Sequence, residues 1–488
     1  MRTRWFRWAL SGVSLGLLLL GAVPATAATG VGGTITTTTW TKALSPYHVT
    51  GTITVPFGNA LTIEPGVDVL FDADVQFVVQ GAINAVGTAT DSIGFIKGSA
   101  AEWGGLTLSG GDTSTLSYVR ISHVSSNGGG GLDVESSSTV ALSNCTITGN
   151  SARYGGGLGA SSSTVTLTNC TIAGNSAADG DGLGASSSTV TLASCTIAGN
   201  SAGDGGGLEA ISSTVTLTNC TVTANSSSLD GGGLSAYFSA LTLTNCTVTG
   251  NLASRGGGGL FAESSSTVTL TNCTITGNSA SNYGGGLDAW RSTATLKNTI
   301  LWGNTPTQQI SVGMSASVAA TYSDIQQSSG TYTGTGNINA DPLSVNPANG
   351  DYRLQAGSPC IDAGDPTSPL ELDGTRADMG ASPYFRPVAV LEAPKASAFV
   401  LEQNFPNPFN PSTVIRFSLP GAGPVSLSIY DVNGRIVRTL VDETLRAGQH
   451  EVTWDGRDAA GHEVASGVYL VRLMTPAGTV VRRATLVR

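Results

Sequence analysis

Six cysteines recur at Cys145, Cys170, Cys195, Cys220, Cys246 and Cys273, at intervals of 25, 25, 25, 26 and 27 residues. Thiols on such a beat raise two chemistries, disulfide formation and metal ligation. Three carboxylates keep the same time. Asp179, Asp204 and Asp230 each stand four residues before the leucine of a glycine-rich segment, with Asp181 beside the first. Stacked carboxylates and loop carbonyls suit Ca²⁺, a hard cation that takes oxygen ligands. The plainer reading is a set of solvated loops that tolerate the repulsion, roughly 1 kcal/mol per neighbouring pair in bulk water. A third group is aromatic: Tyr154, Tyr237, Phe261, Tyr283 and Trp290 lie near one face. They suit either stacking on sugar rings or ordinary loop packing.

The elements that must position these residues repeat. A sentence reading STVTLTNCTITGNSA, a variable stretch and GGGLxA is written again and again, and a seventh copy puts Thr299 in the cysteine's place. A period of this size signals a stacked solenoid. In the copy spanning 155–178, Leu158 and Ala160, Val165 and Leu167, then Cys170 and Ile172 alternate with Gly, Ser or Thr. Period two places each pair on one face of a strand. The serines at 161–163, Asn169, and Gly174 with Asn175 read as bends between strands. Three short strands close one coil with a small apolar interior.

Stacking then disposes of the cysteine chemistries. A disulfide needs Cβ atoms about 3.5–4.5 Å apart on facing vectors, whereas in-register neighbours lie nearly 5 Å apart with parallel vectors. A metal needs convergent ligands, and these form a line. The cysteines read as a ladder of buried small hydrophobes, and Cys360 stands outside it. Asn144, Asn169, Asn219, Asn245, Asn272 and Asn298 form a second line, interrupted by Ser194, and should hydrogen-bond along the axis. The glycine runs repeat in every coil with no following Lys-Ser/Thr, so they are corners and not phosphate loops.

Charge divides the chain. Residues 28–390 carry 10 Lys+Arg against 24 Asp+Glu, and residues 391–488 carry 10 against 9. The acidic solenoid is a poor nucleic-acid binder, because phosphate contacts need Lys and Arg. The N-terminus reads as an export signal over 1–27: Arg2, Arg4 and Arg7, an apolar stretch over 9–23, and Ala25-Thr26-Ala27 as a cleavage site. No later stretch is long and apolar enough for a spanning helix, so the mature chain is expected to carry none.

These repeats resemble the right-handed parallel β-helix proteins of the pectin-lyase-like fold, over residues 31 to 385. The stretch from Gly51 through Phe71 and Trp103-Gly-Gly-Leu looks like opening coils. Asn349-Gly-Asp-Tyr-Arg-Leu, Gly357-Ser-Pro-Cys-Ile-Asp-Ala-Gly-Asp and Asp373-Gly-Thr-Arg-Ala-Asp-Met-Gly-Ala are similar to the closing segment of secreted bacterial β-helix proteins, with Ser382-Pro383 departing from the usual Tyr-Glu. The tail opens on Gln403-Asn404-Phe405-Pro406-Asn407-Pro408-Phe409-Asn410-Pro411 and continues in short alternating strands, with Asn433-Gly434 as a hairpin turn. It resembles the C-terminal sorting domain of the type IX secretion system, of the FlgD-like Ig type. That resemblance implies the sorting motif Asn404, Pro406, Asn407, Pro408, Phe409, Asn410 and Pro411.

The expected organisation is all-β: signal 1–27, cap and opening coils 28–127, regular repeats 128–305, closing coils and cap 306–385, linker 386–397, and a small Ig-like β-sandwich over 398–488. The line after each inward leucine runs Asp133, Gly159, Gly184, Glu209, Ser235, Phe261, Asp288, and reads as no charged ledge. No Lys or Arg lies between Arg153 and Arg255, and none of His48, His123, His450 and His462 pairs with a Ser or Cys triad. The opening coils, with Glu64, Asp68, Asp72, Asp74, Lys97, Glu102 and Arg120, are the remaining place for a mixed cluster. The function expected is a monomeric, secreted or cell-surface protein without catalytic residues or cofactor other than the candidate Ca²⁺. Its expected partners are polysaccharide and the type IX machinery. A lyase or glycoside hydrolase is the alternative by fold analogy.

Overall fold

Alternating Thr and apolar residues make strands, and the bends between them make a coil. In the computed structural model the described residues are 29–100, 102–126, 128–178, 181–384, 399–476 and 478–488. The expected signal and linker lie outside them. The chain divides into two units, Met1–Tyr384 and Phe385–Arg488.

The first unit is a parallel β-solenoid. One face stacks Leu158–Ser161, Leu183–Ser186 and Leu208–Ile211 with their equivalents, leucine on leucine. A second face, a 12-stranded sheet, stacks Thr164–Thr168 on Thr189–Ala193 and their equivalents. A third stacks Thr171–Ala173 on Thr196–Ala198. The first and third faces join through the long strand Tyr47–Val55. A fourth, short ladder of Ser-Ala pairs, such as Ser176–Ala177, follows the Gly-Asn bend and was not expected from the sequence.

The inward set of Leu158, Ala160, Val165, Leu167, Cys170 and Ile172 is buried, and so is its counterpart in each regular coil. The cysteines are free and buried, as the ladder reading requires. Cys170, Cys195, Cys220 and Cys246 each accept from the backbone of the coil before, as in Cys170 N–H to Cys195 Sγ at 3.4 Å. Each thiol turns back on a nearby carbonyl, as Cys195 Sγ does to Ala193 O at 3.3 Å. Cys360, which shows no partner in the sequence, donates to Asp324 Oδ2 at 3.3 Å.

The exposed asparagine line is present, with Asn169 Nδ2 donating to Asn144 Oδ1 at 2.6 Å and each residue held at positive φ. A second amide ladder is buried at the Gly-Asn bend. Asn225 Nδ2 donates to Asn251 Oδ1 at 2.9 Å and to Ile197 O at 3.0 Å, while its Oδ1 accepts from Asn200 N–H at 3.0 Å. The buried amides of this ladder therefore find partners on both their oxygen and their nitrogen. The glycine runs permit close stacking: a Cβ on Gly233 would lie 2.6 Å from Gly259 O.

Aromatic pairs fill the opening coils, Trp40 on Tyr47 and Phe71 on Trp103, at centroid distances of 4.6 and 3.7 Å. Ile300, Leu354, Cys360 and Met379 form a separate small core in the closing segment.

The second unit packs two antiparallel sheets. One holds Val400–Leu401, Thr413–Leu419 and Gly448–Trp454; the other holds Ile436–Leu445, Gly423–Tyr430, Gly467–Thr475 and Gly478–Leu486. The strand Ile436–Leu445 departs from the expected alternation, its residues being half-buried or exposed without a period of two. The Asn433-Gly434 turn is present, with Gly434 N–H donating to Asp431 O at 3.0 Å. Phe417, Leu427, Trp454 and Leu473 form the core.

Candidate functional site

The residue after the inward leucine points outward, and its size decides the local surface. Asp133, Gly159, Gly184 and Glu209 are consecutive rungs of one ladder. Two glycines side by side leave a cleft of about 430 Å³. Its walls are acidic: Asp133 and Glu135 at one end, Asp181 and Glu209 at the other, with Tyr154 and Ile211 flanking. A Cβ on Gly159 would lie 3.0 Å from Asp133 Oδ1, and one on Gly184 would lie 2.7 Å from Asp181 Oδ2. With rungs about 4.8 Å apart, these two carboxyl groups stand within about 10 Å of each other.

Burial disfavours charge here. Burial first, then the neighbouring Glu135, pushes Asp133 up to about 7. Burial, with Asp204's charge adding and Asp181's hydrogen bond opposing, pushes Glu209 up to about 7. Asp181 is 2% exposed, and burial followed by the charge of Glu209 holds it well above the carboxylate range. Its Oδ1 is buried without a hydrogen-bond partner. The arrangement offers acceptors, a proton-bearing carboxyl and negative charge, with no Lys, Arg or His in the lining.

The line itself is no continuous charged ledge, and the acidic cleft forms only when residues beside it are added. The sequence comparison followed a single offset, and along it the acids are interrupted by glycine. The missing acids sit off that line: Glu135 two residues on from Asp133, and Asp181 where the other coils have a glycine. The signal was present as Gly-Asp-Gly-Leu in one copy only.

Among the described residues no three His, Cys, Asp or Glu are placed to hold a metal. Asp179 lies outside them. Asp204 Oδ1 accepts from Asp230 N–H at 3.1 Å, while Asp230 accepts from Gly256 N–H and faces Arg255 at 3.4 Å. Asp181 turns into the cleft instead. The carboxylates part because each finds a different local partner.

The aromatic candidates divide. Tyr154 is half-exposed at the cleft, with Arg153 over its ring at 5.1 Å. Tyr237 meets Phe261 edge-on at 5.8 Å, and Phe261 is buried. Trp290 stands on the rung beyond Glu263, itself next to Tyr237, and Tyr283 is exposed. Tyr237 and Trp290 therefore extend the cleft's ladder toward later coils, alternating with Glu263. Two of the acids in the opening coils are paired: Asp68 with Arg120 at 3.2 Å, and Asp72 with His48 at 2.6 Å.

In the second unit the tail motif is tied to the sandwich. Asn404 is buried and donates to Thr413 Oγ1 and Pro406 O. Asn407 Oδ1 accepts from Thr485 N–H at 2.8 Å, and Phe409 is buried against Trp454. Pro406, Pro408, Asn410 and Pro411 are exposed, as is Phe405.

Among the described residues no helix is long and apolar enough to cross a membrane. Residues 87–240 match the family model of the right-handed beta helix region, and residues 411–479 match that of the FlgD Ig-like domain. The basal-body rod modification protein FlgD of Salmonella typhimurium is 42% identical over 57 residues, covering 12% of this chain. The chain spans a quarter of the length of that curated relative. PorZ, a surface component of the type IX secretion system of Porphyromonas gingivalis, aligns with 24% of this chain and 14% of its own, at 23% identity and a TM-score of 0.15. Pectate lyase Pel9A aligns with 67% of this chain and 88% of its own, at 15% identity and a TM-score of 0.37. The chain is a right-handed parallel β-helix solenoid followed by an Ig-like β-sandwich of the FlgD type.

Proposed function

We propose that this is a cell-surface protein whose solenoid binds polysaccharide and whose Ig-like tail directs its export across the outer membrane by the type IX system. The observation that carries the binding role is the cleft over Gly159 and Gly184. It has the volume of a ligand pocket, a half-exposed tyrosine on its flank and polar groups at both ends. Tyr237 and Trp290 continue the same face, giving an extended chain further rings to cross. The sorting role rests on the separate tail unit, its FlgD-type fold and its Asn-Pro motif with exposed Phe405 and prolines. A glycan panel titrated against the full mature chain tests the first role; binding to none of its members overturns it. Deletion of 398–488 tests the second. Retention of the truncated chain inside the cell envelope is expected, and normal surface delivery would overturn it.

A second reading rests on one observation: Asp133 and Asp181 flank the cleft within about 10 Å, both with raised affinity for a proton. Glycoside hydrolysis uses two carboxyl groups flanking the scissile bond, one protonated as acid and the other ionised as base or nucleophile. New reducing ends released from a bound glycan would establish this reading, and their absence from every bound glycan would remove it.

A further inference from the structure

We propose that the cleft selects a glycan carrying protonated amines, a 2-amino-2-deoxy sugar unit whose ammonium sits between the Asp133–Glu135 and Asp181–Glu209 carboxyl pairs. The inference rests on the polysaccharide-binding reading and adds the class of sugar.

Charge makes the choice. The lining holds four carboxyl groups and no basic side chain. From Tyr154 to Ser254 the chain has no Lys or Arg, and Arg153 is placed over the Tyr154 ring. Asp204 adds negative charge from behind, acting on both Asp181 and Glu209. A uronate or sulfated sugar would bring an anion against four carboxyl groups with no basic side chain in the lining to receive it. A neutral sugar could donate hydroxyls to these carboxyls but carries no charge to take the place of the protons that burial holds on them.

Hydrogen bonding makes the same choice. Asp181 is 2% exposed and lines the cleft, yet its Oδ1 lacks a partner. A buried acceptor without a donor is costly, and a native protein that keeps one has a reason to. An ammonium carries three donors and no acceptor, so it satisfies such oxygens and neutralises them together. The flanking Tyr154 and Ile211 supply apolar surface for the sugar ring. The empty positions at Gly159 and Gly184 supply the room, since a side chain at either would meet the carboxylates themselves.

The test is calorimetric titration of the full mature chain at pH 7 with a glucosamine oligomer and with its fully N-acetylated counterpart. The expected result is at least tenfold tighter binding of the amine form, weakened by salt and by Asp181→Asn at least tenfold, with Gly184→Ala as a second variant that blocks the space and keeps the charge. Equal binding of the two oligomers, or preference for the acetylated one, overturns the inference and leaves the polysaccharide reading standing. Binding to neither of them nor to any other glycan overturns both. Oligolysine that binds as tightly as the glucosamine oligomer and competes with it also overturns the inference, because the cleft would then select cationic peptide. Melting curves of both variants confirm that they fold.

Discussion

Asp181 Oδ2 stands 2.7 Å from the point where a Cβ on Gly184 would lie, so the carboxyl occupies space that only a glycine leaves open. The same ladder carries Asp133, Glu209 and Ser235 on other rungs, so the backbone there accepts side chains freely. The glycine is therefore needed for the cleft and not for the coil.

Gly184→Ala should obstruct the cleft beside Asp181 at little cost in stability. The obstructing atom belongs to a side chain that can shift, so a change in melting temperature of no more than a few degrees is expected, in line with substitutions outside the core. Affinity for the cleft's ligand should fall at least tenfold. Paired thermal melts and binding titrations measure both; a large loss of stability with unchanged affinity would contradict the assignment.

Stability should fall as pH rises through 7. Asp133, Glu209 and Asp324 are pushed up to about 7, each by burial first. A carboxyl that holds its proton more tightly when folded contributes fully below its unfolded value near 4 and loses that contribution as pH climbs through 7. The groups facing them are Glu135 for Asp133, Asp181 and Asp204 for Glu209, and Cys360 and Asp341 for Asp324. Asp365, lowered to about 2 by Lys297 first, keeps its contribution across this window. Melting temperatures from pH 5 to pH 8 should decline, and Asp133→Asn with Glu209→Gln should flatten the slope. A flat or rising wild-type profile would refute this.

The two asparagine ladders should differ in worth. Asn225→Ala removes a buried amide, takes the side-chain donor from the Ile197 carbonyl and takes the acceptor from both the Asn200 N–H and Asn200 Nδ2, while Asn251 Oδ1 keeps the Asn225 N–H. Each buried group left unpaired costs about 1–3 kcal/mol. Asn219→Ser, in the exposed ladder, should stay within about 0.5 kcal/mol, because Ser194 already holds that bend at a φ of 55°. Denaturant unfolding of the two variants separates them, and equal losses would contradict the ranking.

The thiols should be silent. A thiol reagent should label none of the seven cysteines in the native protein and all seven in denaturant, since every one is buried and free. Cys220→Ser should fold, because Thr299 takes the same place and receives Cys273 N–H at 3.4 Å. Ready native labelling of the ladder would show that the coils open.

Much of this architecture was legible because it repeats. Leu158, Val165, Cys170 and Ile172 recur often enough for period two and period 25 to be read directly, and each is buried where expected. The Asn225 ladder was hidden by its own bend: Gly-Asn reads as a turn, and nothing local says that the amide points inward. The cleft was hidden for the opposite reason. Asp133 and Asp181 lie 48 residues apart, and neither acid belongs to the repeat. A site made from exceptions to a repeat appears only when the rungs are laid side by side. In the acidic line a shared offset sets Asp204 and Asp230 one above the other, yet Asp230 takes Gly256 N–H and Arg255 as partners while Asp204 accepts from Asp230 N–H.

The most direct test of the cleft as the binding site is one titration series: wild type and Gly184→Ala, each as the full mature chain, against uronate, neutral and amino-sugar oligosaccharides. The account predicts that a class bound by wild type is bound at least tenfold more weakly by the variant. Undiminished binding by Gly184→Ala, or no binding of any class by wild type, would contradict it.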